Sequence, residues 1–128
     1  MAEANPAEIN WREGIYQQFK ELDIRQVHYV PDAGHAHVID RCLADPEIEA
    51  GMLANEFEGI GVCCGAWLGG QRSALLMQSS GIGNTINALG LVTSGRFPFF
   101  TVITMRGEWG EFNPCLLYTS DAADDRSC

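Results

Sequence analysis

The order of segments along the chain predicts a three-layer α/β/α domain built on a mostly parallel sheet, and two observations carry that reading. Helix-patterned and strand-patterned stretches alternate, and the Gly-rich polar clusters fall directly after the strand-patterned ones. Alternation calls for crossover helices on the sheet faces. Parallel strands then bring their carboxyl ends, and the clusters that follow them, to one edge.

Each element has its own signature. Asn10 with Glu13 has the form of a capping box, and Trp11, Ile15, Phe19 and Leu22 repeat at helical spacing, so a first helix is expected over about 11–22. Gln26–Val30 is a β-rich run ended by Pro31, and Val38, Ile39, Cys42 and Leu43 make one face of a second helix that closes near Asp45-Pro46. Glu49–Ala54 reads as a second strand. From Phe57 to Leu68 the residues Ile60, Gly61, Cys64, Trp67 and Leu68 recur with the helical period, and Gly69-Gly70 ends the run. Ala74–Gln78 and Phe99–Thr104 are apolar without alternation, as strands covered on both faces are, and Asn84–Thr93 between them is helix-patterned.

Composition narrows the function. The 128 residues carry 17 Asp+Glu against 8 Lys+Arg, a net charge of −9, which argues against nucleic acid and anionic membrane surfaces as partners. No apolar run approaches the ~20 residues of a membrane span, and Met1–Asn10 lacks a signal-peptide pattern, so a cytoplasmic protein is expected. The five cysteines have neither CxxC spacing nor a partnering His pattern, which speaks against a disulfide framework or a zinc site. After Pro114 the text changes to CLLYTSDAADDRSC, which fits no neighbouring period and resembles a translated sequencing adaptor. Cys115–Cys128 is therefore set aside as a non-native tail, leaving one domain over residues 1–114 that is expected to be C-terminally incomplete.

Four clusters should meet on the ligand edge: Pro31-Asp32-Ala33-Gly34-His35, Asn55-Glu56, Gln78-Ser79-Ser80-Gly81-Ile82-Gly83-Asn84 and Met105-Arg106-Gly107-Glu108. Turns alone also use such residues. The Gly81-Ile82-Gly83 segment starts like a dinucleotide fingerprint, but Ile86 stands where the third glycine belongs; its N–H groups still suit an anion. His35 and His37 form an HxH without nearby acidic or Cys ligands, read as a cap and a surface residue, and no metal site is expected. Cys63-Cys64 reads as two small buried residues, and Trp11, Trp67 and Trp109 as packing residues. Glu56 stands out because a carboxyl at the head of an apolar helix needs a reason to be there.

These residues carry a family resemblance. The segment Asn55-Glu56-Phe57-Glu58-Gly59-Ile60-Gly61-Val62-Cys63-Cys64-Gly65-Ala66-Trp67-Leu68 resembles the helix of thiamine-diphosphate enzymes that begins with a glutamate and runs into a Gly-aromatic pair. With the Pro31 turn, Leu75–Asn84 and Thr104–Glu111, the chain over about residues 26–114 is similar to the alpha subunit of sulfopyruvate and phosphonopyruvate decarboxylases. The resemblance implies a pyrimidine-binding domain in which Glu56 hydrogen-bonds the aminopyrimidine N1′ of thiamine diphosphate, Pro31 packs against that ring, and Gly81 and Gly83 shape the cofactor turn. It further implies that Asp32, His35, Gln78, Ser79, Ser80 and Asn84 face a 2-oxoacid substrate. Related decarboxylases place the acidic residue of the first turn one position later, where this chain has Ala33.

The implied reaction is carboxy-lyase chemistry, 3-sulfopyruvate or 3-phosphonopyruvate giving an aldehyde and carbon dioxide. The family holds the diphosphate and magnesium on a second domain with a Gly-Asp-Gly segment that this chain lacks, so a beta subunit, or a missing C-terminal domain, is implied as partner in a hetero-oligomer. A flavodoxin-like binding module and a thiamine-dependent carboligase subunit stay open as alternatives. Arg106 alone among the basic residues follows a strand, which makes it the candidate for the substrate's second anion, with an ion pair to Glu108 or Glu111 as its structural alternative.

Overall fold

The computed structural model describes residues 10–110; the Cys115–Cys128 segment and Glu111 lie outside them. Eight elements follow the predicted order: α1 (Trp11–Glu21), β1 (Ile24–Tyr29), α2 (Ala36–Ala44), β2 (Glu49–Met52), α3 (Glu56–Leu68), β3 (Arg72–Gln78), α4 (Leu89–Gly95) and β4 (Thr101–Thr104). The sheet order is β2-β1-β3-β4 with every pair parallel. The chain leaves β1 toward one edge and returns to its other side, so the switch point lies between β1 and β3.

Strand parity sorts the core into two layers. Ala74 and Leu76 of β3 pack with Tyr16 and Phe19 of α1 and Val38, Ile39 and Cys42 of α2. Leu75 and Met77 point the other way, against Ile60, Cys63 and Cys64 of α3, with Leu89 and Val92 of α4 beside them. This is the expected three-layer α/β/α arrangement. Local chemistry sets the boundaries: Asn10 Oδ1 accepts from the Glu13 N–H at 3.3 Å to start α1, and Asn55 Oδ1 accepts from the Glu58 N–H at 3.2 Å to start α3. Glu58 reaches back to accept from the Ala54 N–H at 3.0 Å, a reciprocal cap one residue wider than the usual box. Gly59 lets α3 sit close on the sheet, because a Cβ there would stand 2.8 Å from a Leu53 methyl.

Two expectations are corrected. The helix expected over Asn84–Thr93 begins only at Leu89; Ser79–Thr85 is a 3₁₀ segment instead. Gly81, Gly83 and Asn84 are poor helix formers, and the tighter turn keeps them at the sheet edge. The tryptophans are not packing residues: Trp11 and Trp67 are about half exposed, and Trp109 is fully exposed. Trp11 instead flanks a groove with Ile15, Leu22, Phe100 and Val102 along the edge strand. Cys63 and Cys64 are buried free thiols as expected, both pushed up from the ordinary thiol value by burial.

Candidate functional site

All four clusters lie beyond the carboxyl ends of the strands, but they do not form one group. Sheet parity divides them between the two faces.

On the α3 face stands Glu56, the first residue of α3, 6% exposed. Among the described residues its hydrogen-bond partner is Asn84, whose Nδ2 donates to Oε2 at 2.9 Å, and no cation stands within ion-pair distance. Its other oxygen lies against Gly81, where a Cβ would fall inside the carboxyl group. A carboxyl held at a helix N-terminus, with one oxygen bonded and the other over a glycine, has hydrogen-bonding capacity left for a group offered from outside the sheet edge. Gly83 has open space around it, and Ser80 is exposed on the same 3₁₀ segment. Among the described residues no three His, Cys, Asp or Glu side chains are grouped to hold a metal ion.

On the α1/α2 face stand Asp32, His35, Gln78, Thr104 and Arg106. Val102 packs with the α1/α2 core, and Thr104, two residues on, shares its side and pairs in register with Gln78. Asp32 Oδ2 accepts from the Gly34 N–H at 3.0 Å and from the Thr104 hydroxyl at 2.7 Å. Asp32 Oδ1 faces Arg106 Nη1 at 3.6 Å, an ion pair that the sequence did not suggest; the expected alternative with Glu111 falls outside the described residues. The Arg106 N–H donates to Ser79 Oγ at 2.9 Å, which ties the end of β4 to the end of β3. His35 is 0% exposed, and among the described residues neither ring nitrogen has a hydrogen-bond partner; Gln78 Oε1 is likewise buried and unpaired. Burial holds the imidazole below its ordinary pKa, partly offset by nearby Asp32. Asp32, Gly34, His35, Thr104, Arg106, Glu108 and both Trp11 and Trp109 line a cavity of about 620 Å³. His37 takes no part; its ring pairs with Glu13 at 2.8 Å. Pro31 is exposed and rims a separate cleft with Tyr29, Asp32, Ala36, Asp40 and Met52.

Thr104 and Gly34 were not singled out by the sequence reading. The signal for Thr104 was present, since it shares strand parity with Val102 and directly precedes the Met105-Arg106 cluster.

Comparison with known proteins bears on what this edge does. The chain is 40% identical over 104 residues to the sulfopyruvate decarboxylase subunit alpha of Methanococcus maripaludis, covering 80% of this chain and 62% of that protein. The chain resembles sulfopyruvate decarboxylase alpha subunits. The likeness extends to the subunit alpha of Methanothermobacter thermautotrophicus, at 34% over 105 residues, 81% of this chain and 64% of that one. It extends also to the phosphonopyruvate decarboxylase of Streptomyces viridochromogenes, at 35% over 91 residues, 70% of this chain and 23% of that one. The chain thus spans less than two thirds of the length of the alpha subunits it matches. No family model matches. Among solved structures, the 2-oxoglutarate:ferredoxin oxidoreductase from Magnetococcus marinus superposes with a TM-score of 0.68 at 15% identity, over 84% of this chain and 22% of that one, which supports the fold alone.

Proposed function

We propose that the chain is a subunit of a thiamine-diphosphate-dependent 2-oxoacid decarboxylase acting on 3-sulfopyruvate or 3-phosphonopyruvate. One observation carries the reading: a buried glutamate that, among the described residues, has no cationic partner heads α3 on the ligand edge of a parallel sheet, in a chain 34–40% identical to sulfopyruvate decarboxylase alpha subunits. When bound, the cofactor supplies the electron sink that lets carbon dioxide leave. The protein's share is placement and proton management. Glu56 would hydrogen-bond the N1′ position, Asn84 fixes the carboxyl rotamer through Oε2, and Gly81 keeps the space beside it clear. Pro31 and Gly83 shape the approach to the ring. Ser79, Ser80 and Asn84 on one side, and Asp32, His35, Gln78 and Arg106 on the other, bound the volume left for substrate. A beta subunit or further domain holds the diphosphate and magnesium, so the working enzyme is a hetero-oligomer in the cytoplasm, and residues 1–114 are its pyrimidine-binding domain.

Co-expression with a candidate beta subunit, followed by assay of carbon dioxide and aldehyde from 3-sulfopyruvate, 3-phosphonopyruvate and pyruvate with thiamine diphosphate and magnesium, tests this. Turnover of the first two is the expected result. Carboligation products instead of aldehyde identify a carboligase subunit, and an active-site-free complex with no turnover identifies a binding module.

A further inference from the structure

The residues that surround Glu56 and those that surround Arg106 occupy opposite faces of one sheet edge. We propose that recognition of the substrate's second acidic group is built on the α1/α2 face, apart from Glu56, with Arg106 and His35 as its donors and Thr104 as the positioning residue that sets Arg106 through Asp32. The proposal rests on the decarboxylase reading above and assigns its substrate selection to one face.

The geometry is a chain of fixed contacts. The Thr104 hydroxyl and the Gly34 N–H both donate to Asp32 Oδ2, which turns Oδ1 toward the guanidinium of Arg106 at 3.6 Å. A Cβ on Gly34 would stand 2.5 Å from the Thr104 methyl, so the turn approaches the strand end this closely only with a glycine there. The backbone of Arg106 is pinned separately by Ser79. A carboxylate that already accepts two hydrogen bonds and faces a guanidinium has much of its charge compensated, which lowers its repulsion of an incoming anion. His35 supplies the independent sign of a missing ligand. It is wholly buried, it lines the same cavity, and among the described residues both its nitrogens lack a partner. An unpaired imidazole N–H lining the same cavity as a guanidinium suits an acceptor-rich, anionic group, a sulfonate or a phosphonate.

Two measurements test this. In the reconstituted complex, Thr104→Val is expected to lower kcat/KM for 3-sulfopyruvate and 3-phosphonopyruvate at least about tenfold more than for pyruvate, chiefly through KM, with Thr104→Ser restoring the ratio. Equal losses on all three substrates overturn the proposal. In the chain alone, Trp11 and Trp109 line the cavity, so their fluorescence reports titration with sulfoacetate and phosphonoacetate. Saturable titration that Thr104→Val and Arg106→Met weaken, and Glu56→Gln leaves intact, is expected; its absence overturns the site. Titration in a complex that turns over no 2-oxoacid keeps the anion site and removes the decarboxylase reading.

Discussion

The carboxyl of Glu56 rests directly on the Cα of Gly81, and no side chain fits between them. That contact joins the head of α3 to the 3₁₀ segment after β3 across the sheet's switch point. It gives Gly81 a role that depends on close approach rather than on backbone angles. Gly81→Ala should therefore push the Glu56 side chain out of its rotamer and cost about 1–3 kcal/mol of stability by overpacking. Turnover in the reconstituted complex should fall with it, whereas Gly83→Ala, at a position with open space, should leave the melting temperature nearly unchanged. Thermal melts of the two variants side by side check this, and equal losses would show that Gly81 has no special contact.

Glu56→Gln preserves size and the bond from Asn84, because the amide oxygen accepts as the carboxylate does. The variant should fold, associate and melt like the parent while the complex loses nearly all turnover, since an amide does not exchange a proton with the ring nitrogen. Residual activity near the parent's would remove Glu56 from proton transfer.

How much of this was legible in the sequence depends on the kind of interaction. Asn10, Asn55 and Gly69 mark helix ends by local chemistry, and the apolar runs at Ala74–Gln78 and Phe99–Thr104 mark strands, observed over Arg72–Gln78 and Thr101–Thr104, so the element order is directly legible. Glu56 was readable because a carboxyl at the head of an apolar helix is anomalous by itself. The partition of the site between two faces was not readable, since it depends on the relative parity of β3 and β4, and a shift of one residue in either strand reverses it. The Asp32–Arg106 contact is equally hidden, because 74 positions separate the two while Glu108 and Glu111 lie near Arg106 in sequence. α4 starts later than the helical periodicity of Asn84–Thr93 suggests, because the turn propensity of Gly83-Asn84 prevails there.

Acid stability should carry the mark of Asp45. Its carboxylate accepts from Lys20 Nζ at 2.7 Å, from the Tyr16 hydroxyl at 2.8 Å and from the Glu47 N–H at 2.8 Å, joining α1 to the corner before β2. Lys20 first, then the Glu47 N–H and the Tyr16 hydroxyl, hold its pKa down from 3.8 to about 2. The folded value lies below the unfolded one, so the contribution is complete above about pH 4 and is lost as pH falls toward 2. Urea midpoints measured across that window should drop more steeply for the parent than for Asp45→Asn. Some slope remains in the variant because Glu13 and Glu47 are also held low by their partners.

His35 should act in a different window. Burial lowers its pKa from the ordinary 6.5, as it does for His28, so the unfolded chain takes up protons as pH falls through about 6.5 while the folded chain resists. Stability is therefore complete above that pH and declines below it. His35→Leu removes one of the two contributions and relieves an imidazole that, among the described residues, has no hydrogen-bond partner. It should raise stability by about 1–3 kcal/mol near neutral pH and make the decline between pH 6.5 and 5 shallower, with the remaining slope due to His28. A side chain whose removal stabilises the fold is kept for another purpose. The same substitution should accordingly weaken the sulfoacetate titration, and a stabilised variant that titrates like the parent would return His35 to a purely structural role.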